Sequence, residues 1–173
     1  STSGGAIVNR GNLTLTEAVI TDSYSDSKGG AIFSDGELTL TNSTVSGNSA
    51  GDNGGGIFND GGELTLTNSS VSGNFSNSLF SKGGGISNSG TSTLTDSTVS
   101  GNSASDGGGI YNRGTSTLTN STVSGNSASD GGGIYNYSDN TYLNNSTLFG
   151  NTATNNGGGF YNYATATLAN SII

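Results

Sequence analysis

The chain contains no cysteine, histidine, proline, methionine or tryptophan in its 173 residues. Without cysteine and histidine, the sequence excludes thiolate chemistry, disulfides, imidazole bases and zinc sites of the Cys/His type. Positive charge is scarce as well, since 12 acidic residues are opposed only by Arg10, Lys28, Lys82 and Arg113. The formal charge of −8 has the wrong sign for binding nucleic-acid phosphates or an anionic membrane. We therefore expect neither of these as a partner.

Long apolar runs are missing too. Hydrophobic residues make up 29% of the chain, and no stretch approaches the ~20 apolar residues of a membrane-spanning helix. We therefore expect no transmembrane segment. With 31 glycines in addition, the composition is poor for an ordinary globular core, but it suffices for the narrow core of a solenoid.

The most regular feature that is present is a glycine phrase. Gly107 to Asn112 reads Gly-Gly-Gly-Ile-Tyr-Asn, and the same six residues return at Gly131 to Asn136. Looser copies begin near residues 4, 29, 54, 83 and 157. Equivalent residues of successive copies are 24 to 29 positions apart. A period of this length predicts a solenoid.

A second apolar anchor stands in each repeat, and a third follows it five residues later every time. The second anchors are Leu15, Leu40, Leu66, Leu94, Leu118, Leu143 and Leu168. The third anchors are Ile20, Val45, Val71, Val99, Val123, Leu148 and Ile173. Strand residues five apart point to opposite faces, so two inward residues at this spacing require a corner between them. Asn-Ser pairs such as Asn120-Ser121 suit that corner, because their side chains bond turn backbone.

The anchors therefore predict a coil of three short strands, centred in the cleanest copy on Ile110, Leu118 and Val123. Strands of neighbouring coils should pair in parallel, about 4.8 Å apart, and place like residues in columns. We predict an all-β parallel β-helix (solenoid) of about seven such coils. It should form a single domain over residues 1–173, with repeats starting near residues 4, 29, 54, 83, 107, 131 and 157. Neither end, Ser1 to Gly5 or Ile173, shows a polar cap.

Several repeated positions indicate architecture rather than chemistry. Leu13, Leu38 and Leu64 should enlarge the core two residues before the second anchor, whereas later repeats have smaller residues there, so we expect a thicker N-terminal core. The glycine triplets fit a tight corner, with positive φ or close contact between coils, and not a phosphate cradle. An asparagine after the glycine phrase should bond the next coil in a buried ladder. Its members are Asn9, Asn59, Asn88, Asn112, Asn136 and Asn162, with Ser34 in the second repeat.

Eight Asn-x-Ser/Thr sequons occur in the chain. Most fall on the predicted Asn-Ser corner, where turn chemistry explains them. Asn74 and Asn136 lie away from that corner, so they are the better candidates for glycosylation.

A short phrase that precedes the glycines points to a known family. The phrase is Val-Ser-Gly-Asn, at Val45–Asn48, Val71–Asn74, Val99–Asn102 and Val123–Asn126, and a Gly-Gly-[Ala/Gly]-Ile motif recurs after such phrases. This combination resembles the repeats of bacterial right-handed parallel β-helix surface proteins, of the polymorphic outer-membrane protein and autotransporter-passenger type. The resemblance covers essentially the whole chain. It implies a right-handed β-helix, secretion, an extracellular or cell-surface location, and adhesive or structural work in a long rod.

The leading hypothesis is therefore a secreted or cell-surface rod with a structural or adhesive role. Because neither end shows a cap, we expect either copies that stack end to end into a filament or flanking repeats of a longer chain. We expect no enzyme activity, no catalytic residue, no metal and no cofactor. Arg10 and Arg113 are equivalent residues four coils apart, separated by roughly 19 Å, so they cannot share a site. The acidic residues Asp35 and Asp60 indicate a solvated face more than a calcium site.

An alternative function rests on the phrase Thr-Leu-Thr, which occurs five times. With leucine inward, both threonines of each copy point outward and stack in two columns. The array resembles the ice-binding face of Thr-x-Thr antifreeze solenoids, although threonine is also a default outward strand residue. Its members are Thr14, Thr16, Thr39, Thr41, Thr65, Thr67, Thr93, Thr95, Thr117 and Thr119.

A third hypothesis rests on tyrosines that gather in the later repeats. If Ile110, Ile134 and Phe160 face inward, the residue after each should face outward. Such a patch would stack sugar rings of a polysaccharide or contact another subunit, unless its rings only stabilise the stacking of coils. Its five members are Tyr111, Tyr135, Tyr137, Tyr161 and Tyr163.

Overall fold

The computed structural model describes residues 3–173, and every regular element in that range is a β-strand. All strand pairs are parallel and join equivalent positions of successive repeats. Two sheets contain seven strands each, which confirms the predicted all-β solenoid of about seven coils. Ser1 and Thr2, which belong to the N-terminal end that we expect to be uncapped, lie outside the described residues.

The coil has three main sides, each named here after its inward anchor. The isoleucine sheet consists of Ile7–Asn9, Ile32–Ser34, Ile57–Asn59, Ile86–Asn88, Ile110–Asn112, Ile134–Asn136 and Phe160–Asn162. The leucine sheet consists of Asn12–Thr16, Glu37–Thr41, Glu63–Thr67, Thr91–Thr95, Thr115–Thr119, Asn140–Asn144 and Thr165–Ala169. The valine sheet consists of Val19–Thr21, Thr44–Ser46, Ser70–Ser72, Thr98–Ser100, Thr122–Ser124 and Thr147–Phe149.

A short fourth side was not predicted. It lies on the return from the valine sheet to the next glycine phrase, where a small residue such as Ala50 or Ala128 is buried. Isolated bridges from Ser103 to Phe75 and to Ser127 link its two parts. Its strands are Tyr24–Ser25, Ser49–Ala50 and Phe75–Ser76 in one sheet, and Ser127–Asp130 and Thr152–Asn156 in another.

The interior of the coil is filled by the three predicted anchor columns. Ile57, Leu66 and Val71 belong to one coil, and none of them exposes any surface. Leu66 pairs with Leu40 on one side and with Leu94 on the other, so like residues stack through the molecule. Burying a side chain of this size stabilises the fold by roughly 1.5–3 kcal/mol. The core is narrow in each coil, but it is continuous along the stack and therefore stabilises the fold.

The core changes character along the stack, as the sequence predicts. Leu38 and Leu64 are buried at a position that Ser92 and Ser116 occupy, equally buried, in later coils. The hydroxyl oxygens of Ser92 and Ser116 lie 2.6 Å apart, and Ser116 donates to Asn112 Oδ1 at 3.1 Å. In the later coils the buried serines take the place of leucines, and their hydroxyls are satisfied by hydrogen bonds.

The corner between the leucine and valine sheets is built as predicted. Asn120 adopts φ 50°, a left-handed conformation that asparagine tolerates better than most residues. The next residue, Ser121, donates its backbone N–H to Ser146 Oγ at 3.1 Å, and its own hydroxyl accepts from the Ser97 N–H at 3.2 Å. Each corner therefore bonds the corners of the coils on both sides.

The glycine triplet forms another corner, which confirms the architectural interpretation. Gly107 has φ +63°, which disfavours residues with a side chain. A Cβ on Gly108 would lie 2.3 Å from the carbonyl oxygen of Ser127, and one on Gly109 would lie 2.6 Å from that of Gly133. The triplet therefore permits adjacent coils to approach each other closely.

Candidate binding surfaces

The predicted threonines form two straight columns on the outward face of the leucine sheet. Their register places Thr65 beside Thr39 and Thr93, and Thr67 beside Thr41 and Thr95. Neighbouring ranks are separated by the strand spacing of about 4.8 Å, and the two columns by about 6.7 Å along the strand. We call this surface, with the ten threonines named above, the threonine array.

The hydroxyls of the threonine array are turned to solvent. All ten residues are exposed or half-buried, and none of their hydroxyls bonds to another side chain or to the backbone in the described part of the chain. The array ends after the fifth rank, because Tyr142 and Asn144 take the places that follow Thr117 and Thr119. A second, mixed column of hydroxyls lies on the adjacent valine sheet, at Thr44, Ser70, Thr98, Thr122 and Thr147.

The five predicted tyrosines are brought together outside the isoleucine sheet, and we call them the tyrosine cluster. The ring centroids of Tyr111 and Tyr135 are 5.3 Å apart, those of Tyr135 and Tyr161 are 4.9 Å apart, and those of Tyr161 and Tyr163 are 5.2 Å apart. Tyr137 stacks on Tyr111 at 6.0 Å with an angle of 24° between the rings. The cluster is a continuous aromatic surface over three coils.

The expectation that all five tyrosines face solvent is wrong for two of them. Tyr111 exposes 2% of its surface and Tyr135 exposes 9%, whereas Tyr137 exposes 50% and Tyr163 exposes 65%. Strand alternation does direct Tyr111 away from the apolar core, but neighbouring rings then cover it. The surface that a ligand meets is therefore formed mainly by Tyr137 and Tyr163.

Packing inside the cluster stabilises the neutral form of the phenols. Burial and the nearby Asp106 carboxylate raise the pKa of Tyr111 and of Tyr135. A hydrogen bond with Tyr163, together with burial, raises the pKa of Tyr161 to about 12. These hydroxyls are therefore protonated near neutral pH and act as hydrogen-bond donors and acceptors.

Three of the four basic side chains lie over aromatic rings of the next coil. Lys28 Nζ lies 4.5 Å from the ring centroid of Phe58, and Lys82 Nζ lies 5.0 Å from that of Tyr111. Arg10 lies 6.0 Å from the Phe33 ring and forms an ion pair of 3.0 Å with Asp35. This ion pair joins one carboxylate of the predicted acidic face to a cation of the preceding coil.

Lys82 and Arg113 share a cleft beside the tyrosine cluster. The cleft has a volume of about 230 Å³ and is lined by these two residues with Tyr111 and Tyr137. Lys82 lies 3.7 Å from a carboxylate oxygen of Asp106, which is a loose ion pair. Burial raises the pKa of the Asp106 carboxyl and outweighs the opposing effect of Lys82. The sequence did not predict this cleft, because Lys82 and Arg113 stand at non-equivalent positions of successive coils.

The predicted asparagine ladder occupies the turn between the isoleucine and leucine sheets. Asn88 Nδ2 donates to Asn112 Oδ1 at 2.9 Å, and Asn112 Nδ2 donates to Asn136 Oδ1 at 3.0 Å. The ladder continues from Asn136 to Asn162 at 2.8 Å. Side chains of the ladder also bond turn carbonyls, such as that of Thr115 at 3.1 Å from Asn88 Nδ2.

A second asparagine ladder was not predicted as such. It is formed by the last residue of each Val-Ser-Gly-Asn phrase, with Asn74 Nδ2 bonded to Asn102 Oδ1 and Asn102 Nδ2 to Asn126 Oδ1, both at 3.0 Å. Asn102 also donates to the carbonyl of Val71 at 3.0 Å. The recurrence of asparagine at this position was the signal that could have identified the ladder.

The two ladders contradict the prediction that Asn74 and Asn136 are the better candidates for glycosylation. Asn74 exposes 1% of its surface and Asn136 exposes none, so neither amide is accessible to a transferase. The corner residues Asn42 and Asn120 are exposed instead.

A shallow trough lies on the short fourth side, beneath the one long insertion between repeats. It has a volume of about 370 Å³ and a floor of small residues such as Ser103, Ala128 and Thr152. The insertion presents Leu79 and Phe80, which are 88% and 81% exposed. Its backbone is held by the Ser105 hydroxyl, which donates to the Leu79 carbonyl at 2.9 Å. The insertion lengthens this repeat to 29 residues, counted from Asn59 to Asn88, which is the longest interval between copies.

Residues 3–173 contain no group of three or more acidic, histidine or cysteine side chains arranged to hold a metal ion. That range also contains no helix of the length and hydrophobicity needed to cross a membrane.

Comparison with known proteins identifies the fold family. The model of the family described as the right-handed β-helix region matches residues 1–148, which is most of the chain. Searches of curated proteins and of solved structures found no match. The family match and the parallel solenoid together support a β-helix repeat protein, and the match supplies the right-handed sense.

Proposed function

Because the chain belongs to the right-handed β-helix family, we propose that it is a secreted or cell-surface rod with a structural and adhesive role and no catalytic activity. The observation that carries this proposal is the unbroken register of the isoleucine sheet. From Ile7 to Phe160, each strand of the isoleucine sheet pairs with its equivalent in the next coil. Copies of the chain or flanking repeats would be its neighbours along the rod.

The distribution of polar side chains supports a non-catalytic role. The buried asparagines and serines bond the next coil, as Asn102 and Ser121 do, so they maintain the stack. The outward faces present threonine and serine hydroxyls without an adjacent imidazole, and a hydroxyl is a weak nucleophile unless a neighbouring base activates it. The outward columns are therefore suited to contact and not to bond cleavage.

Surface labelling of intact source cells tests this proposal. Antibodies raised against the recombinant chain should label intact and permeabilised cells to a similar extent, and brief protease treatment of intact cells should remove the signal. Labelling that requires permeabilisation and survives the protease would contradict a surface role.

Ice binding is a second candidate function, which the threonine array favours. Five in-register ranks of paired hydroxyls, free of intramolecular bonds, form a regular lattice that can order water in a repeating pattern. Thermal hysteresis and the shape of ice crystals grown in the purified chain are the measurements. Thr65→Lys should abolish both effects, whereas Ser72→Lys on the valine sheet should preserve them. Round, freely growing crystals with the unmodified chain would exclude this function.

A further inference from the structure

The cleft between Lys82 and Arg113 concentrates positive charge that the rest of the molecule lacks. Half of the four basic residues of the chain line this one cleft, although the formal charge of the whole chain is −8. Such a concentration is unexpected for a solvated face, where both signs are normally interspersed. The two cations come from successive coils and line the same cleft.

Arg113 is available to a ligand, in contrast to its equivalent in the first coil. Arg10 forms the 3.0 Å ion pair with Asp35. Arg113 is exposed, and its guanidinium has no hydrogen bond or ion pair within residues 3–173. Its backbone is nevertheless fixed, because its N–H donates to the Asn88 carbonyl and its carbonyl accepts from the Ser138 hydroxyl, each at 2.8 Å. An unpaired guanidinium on a fixed backbone suits bidentate binding of a carboxylate or a sulfate.

The other two walls of the cleft are aromatic. Tyr137 is half-exposed and rests on the buried Tyr111 ring, so its outer face is a supported flat plate beside both cations. Tyrosine plates accept the apolar face of a sugar ring, while their hydroxyls bond the polar edge. Lys82 is held over the Tyr111 ring and near Asp106, so its ammonium is positioned before any ligand arrives.

We propose that this cleft binds an acidic saccharide, whose ring stacks on Tyr137 while its carboxylate or sulfate group is held by Lys82 and Arg113. The rest of the tyrosine cluster, with Tyr163 exposed one coil beyond Tyr137 of the cleft, extends the same surface along the stack. This proposal names a ligand class for the adhesive role, and it rests on the proposed function.

Binding of the purified chain to defined polysaccharides tests the cleft. The probes are polygalacturonate for the carboxylate, dextran sulfate for the sulfate, and methyl-esterified polygalacturonate and dextran as uncharged counterparts. We expect binding to at least one acidic polymer and at least tenfold weaker binding to its counterpart. Binding of only one acidic polymer identifies the group that the cations hold. Failure to bind either acidic polymer, or equal binding to the counterparts, would overturn the proposal.

Two variants and a matched control separate the cleft from general charge effects. Arg113→Gln and Tyr137→Ala alter exposed side chains and should each weaken binding by tenfold or more. Arg10→Gln removes the same charge at the equivalent position of the first coil and should change the affinity less than twofold. Equal losses for Arg10→Gln and Arg113→Gln would contradict the site. Because these measurements use isolated protein, they can fail while the cells still label at the surface, and the reverse also holds.

Discussion

At the scale of single residues, buried amides stabilise the stack, and one ladder contains a defect. The Asn59 side chain is fully buried and donates to Asn88 Oδ1 at 2.8 Å. Its own Oδ1 is the only buried side-chain oxygen or nitrogen without a partner in the described part of the chain. The preceding position holds Ser34, whose hydroxyl donates to the Gly36 carbonyl instead. A serine therefore leaves Asn59 without the donor that an asparagine supplies elsewhere in the ladder.

Ser34→Asn should repair this defect and stabilise the protein. The new amide can donate to Asn59 Oδ1 and accept from Asn9 Nδ2, which now donates to the Ser34 hydroxyl at 2.9 Å. One restored buried hydrogen bond should raise the free energy of unfolding by about 1 kcal/mol. Urea unfolding at neutral pH measures the change. A lower free energy of unfolding than that of the unmodified chain would show that the ladder has no room for the larger residue.

The tyrosine cluster should make stability depend on alkaline pH. The pKa of Tyr161 is raised from 10.0 to about 12 in the folded chain, so the unfolded chain loses this proton first as the pH rises. The free energy of unfolding should therefore fall as the pH passes from 10.0 towards 12, and the stabilising contribution should be complete below 10.0. Urea unfolding across this range measures the slope, and Tyr161→Phe should make it shallower. A slope unchanged by this substitution would contradict the assignment.

At the scale of elements, the coil could be predicted where apolar anchors mark it. The isoleucine, leucine and valine sheets follow from three columns of large apolar residues, and the corner at Asn120 follows from the spacing of Leu118 and Val123. The fourth side was missed because strands such as Ser49–Ala50 are only two residues long and carry no apolar periodicity. The burial of Tyr111 was missed because it depends on Tyr135 and Tyr137 of the next coil, which strand alternation does not describe.

Glycines of the coil should tolerate substitution only where neighbouring coils do not meet. Gly108→Ala places a methyl group 2.3 Å from the Ser127 carbonyl oxygen and should lower the free energy of unfolding by about 2 kcal/mol or more. Gly11→Ala is the matched control, because a Cβ there meets no atom within 4 Å. It should change the free energy of unfolding by less than about 0.5 kcal/mol. Equal effects of the two changes in urea unfolding would contradict the close approach of coils.

At the scale of the whole molecule, the register of the coils places residues of successive repeats side by side on one surface. The threonine array, the tyrosine cluster and the cleft each combine residues from successive coils, and each would be lost if neighbouring coils slipped by one residue. The threonine columns could be predicted because their residues repeat at fixed positions. The cleft could not be predicted in this way, because Lys82 and Arg113 do not occupy equivalent positions of their coils. Repeated residues therefore predict columns from the sequence alone. A site built from non-equivalent residues is recognised only in the structure, where the coils are stacked.

Disulfide cross-linking tests this register most directly, because the chain has no cysteine of its own. Thr65 and Thr93 are paired neighbours on adjacent coils, so their Cα atoms should be about 4.8 Å apart, within the range that a disulfide spans. Thr65 and Thr117 are two coils apart, at about 9.6 Å, which is beyond that range. After mild oxidation, mass spectrometry should find a disulfide in the Thr65→Cys/Thr93→Cys variant and free thiols in the Thr65→Cys/Thr117→Cys variant. A disulfide in the second variant but not in the first would contradict the register of the coils and every surface built on it.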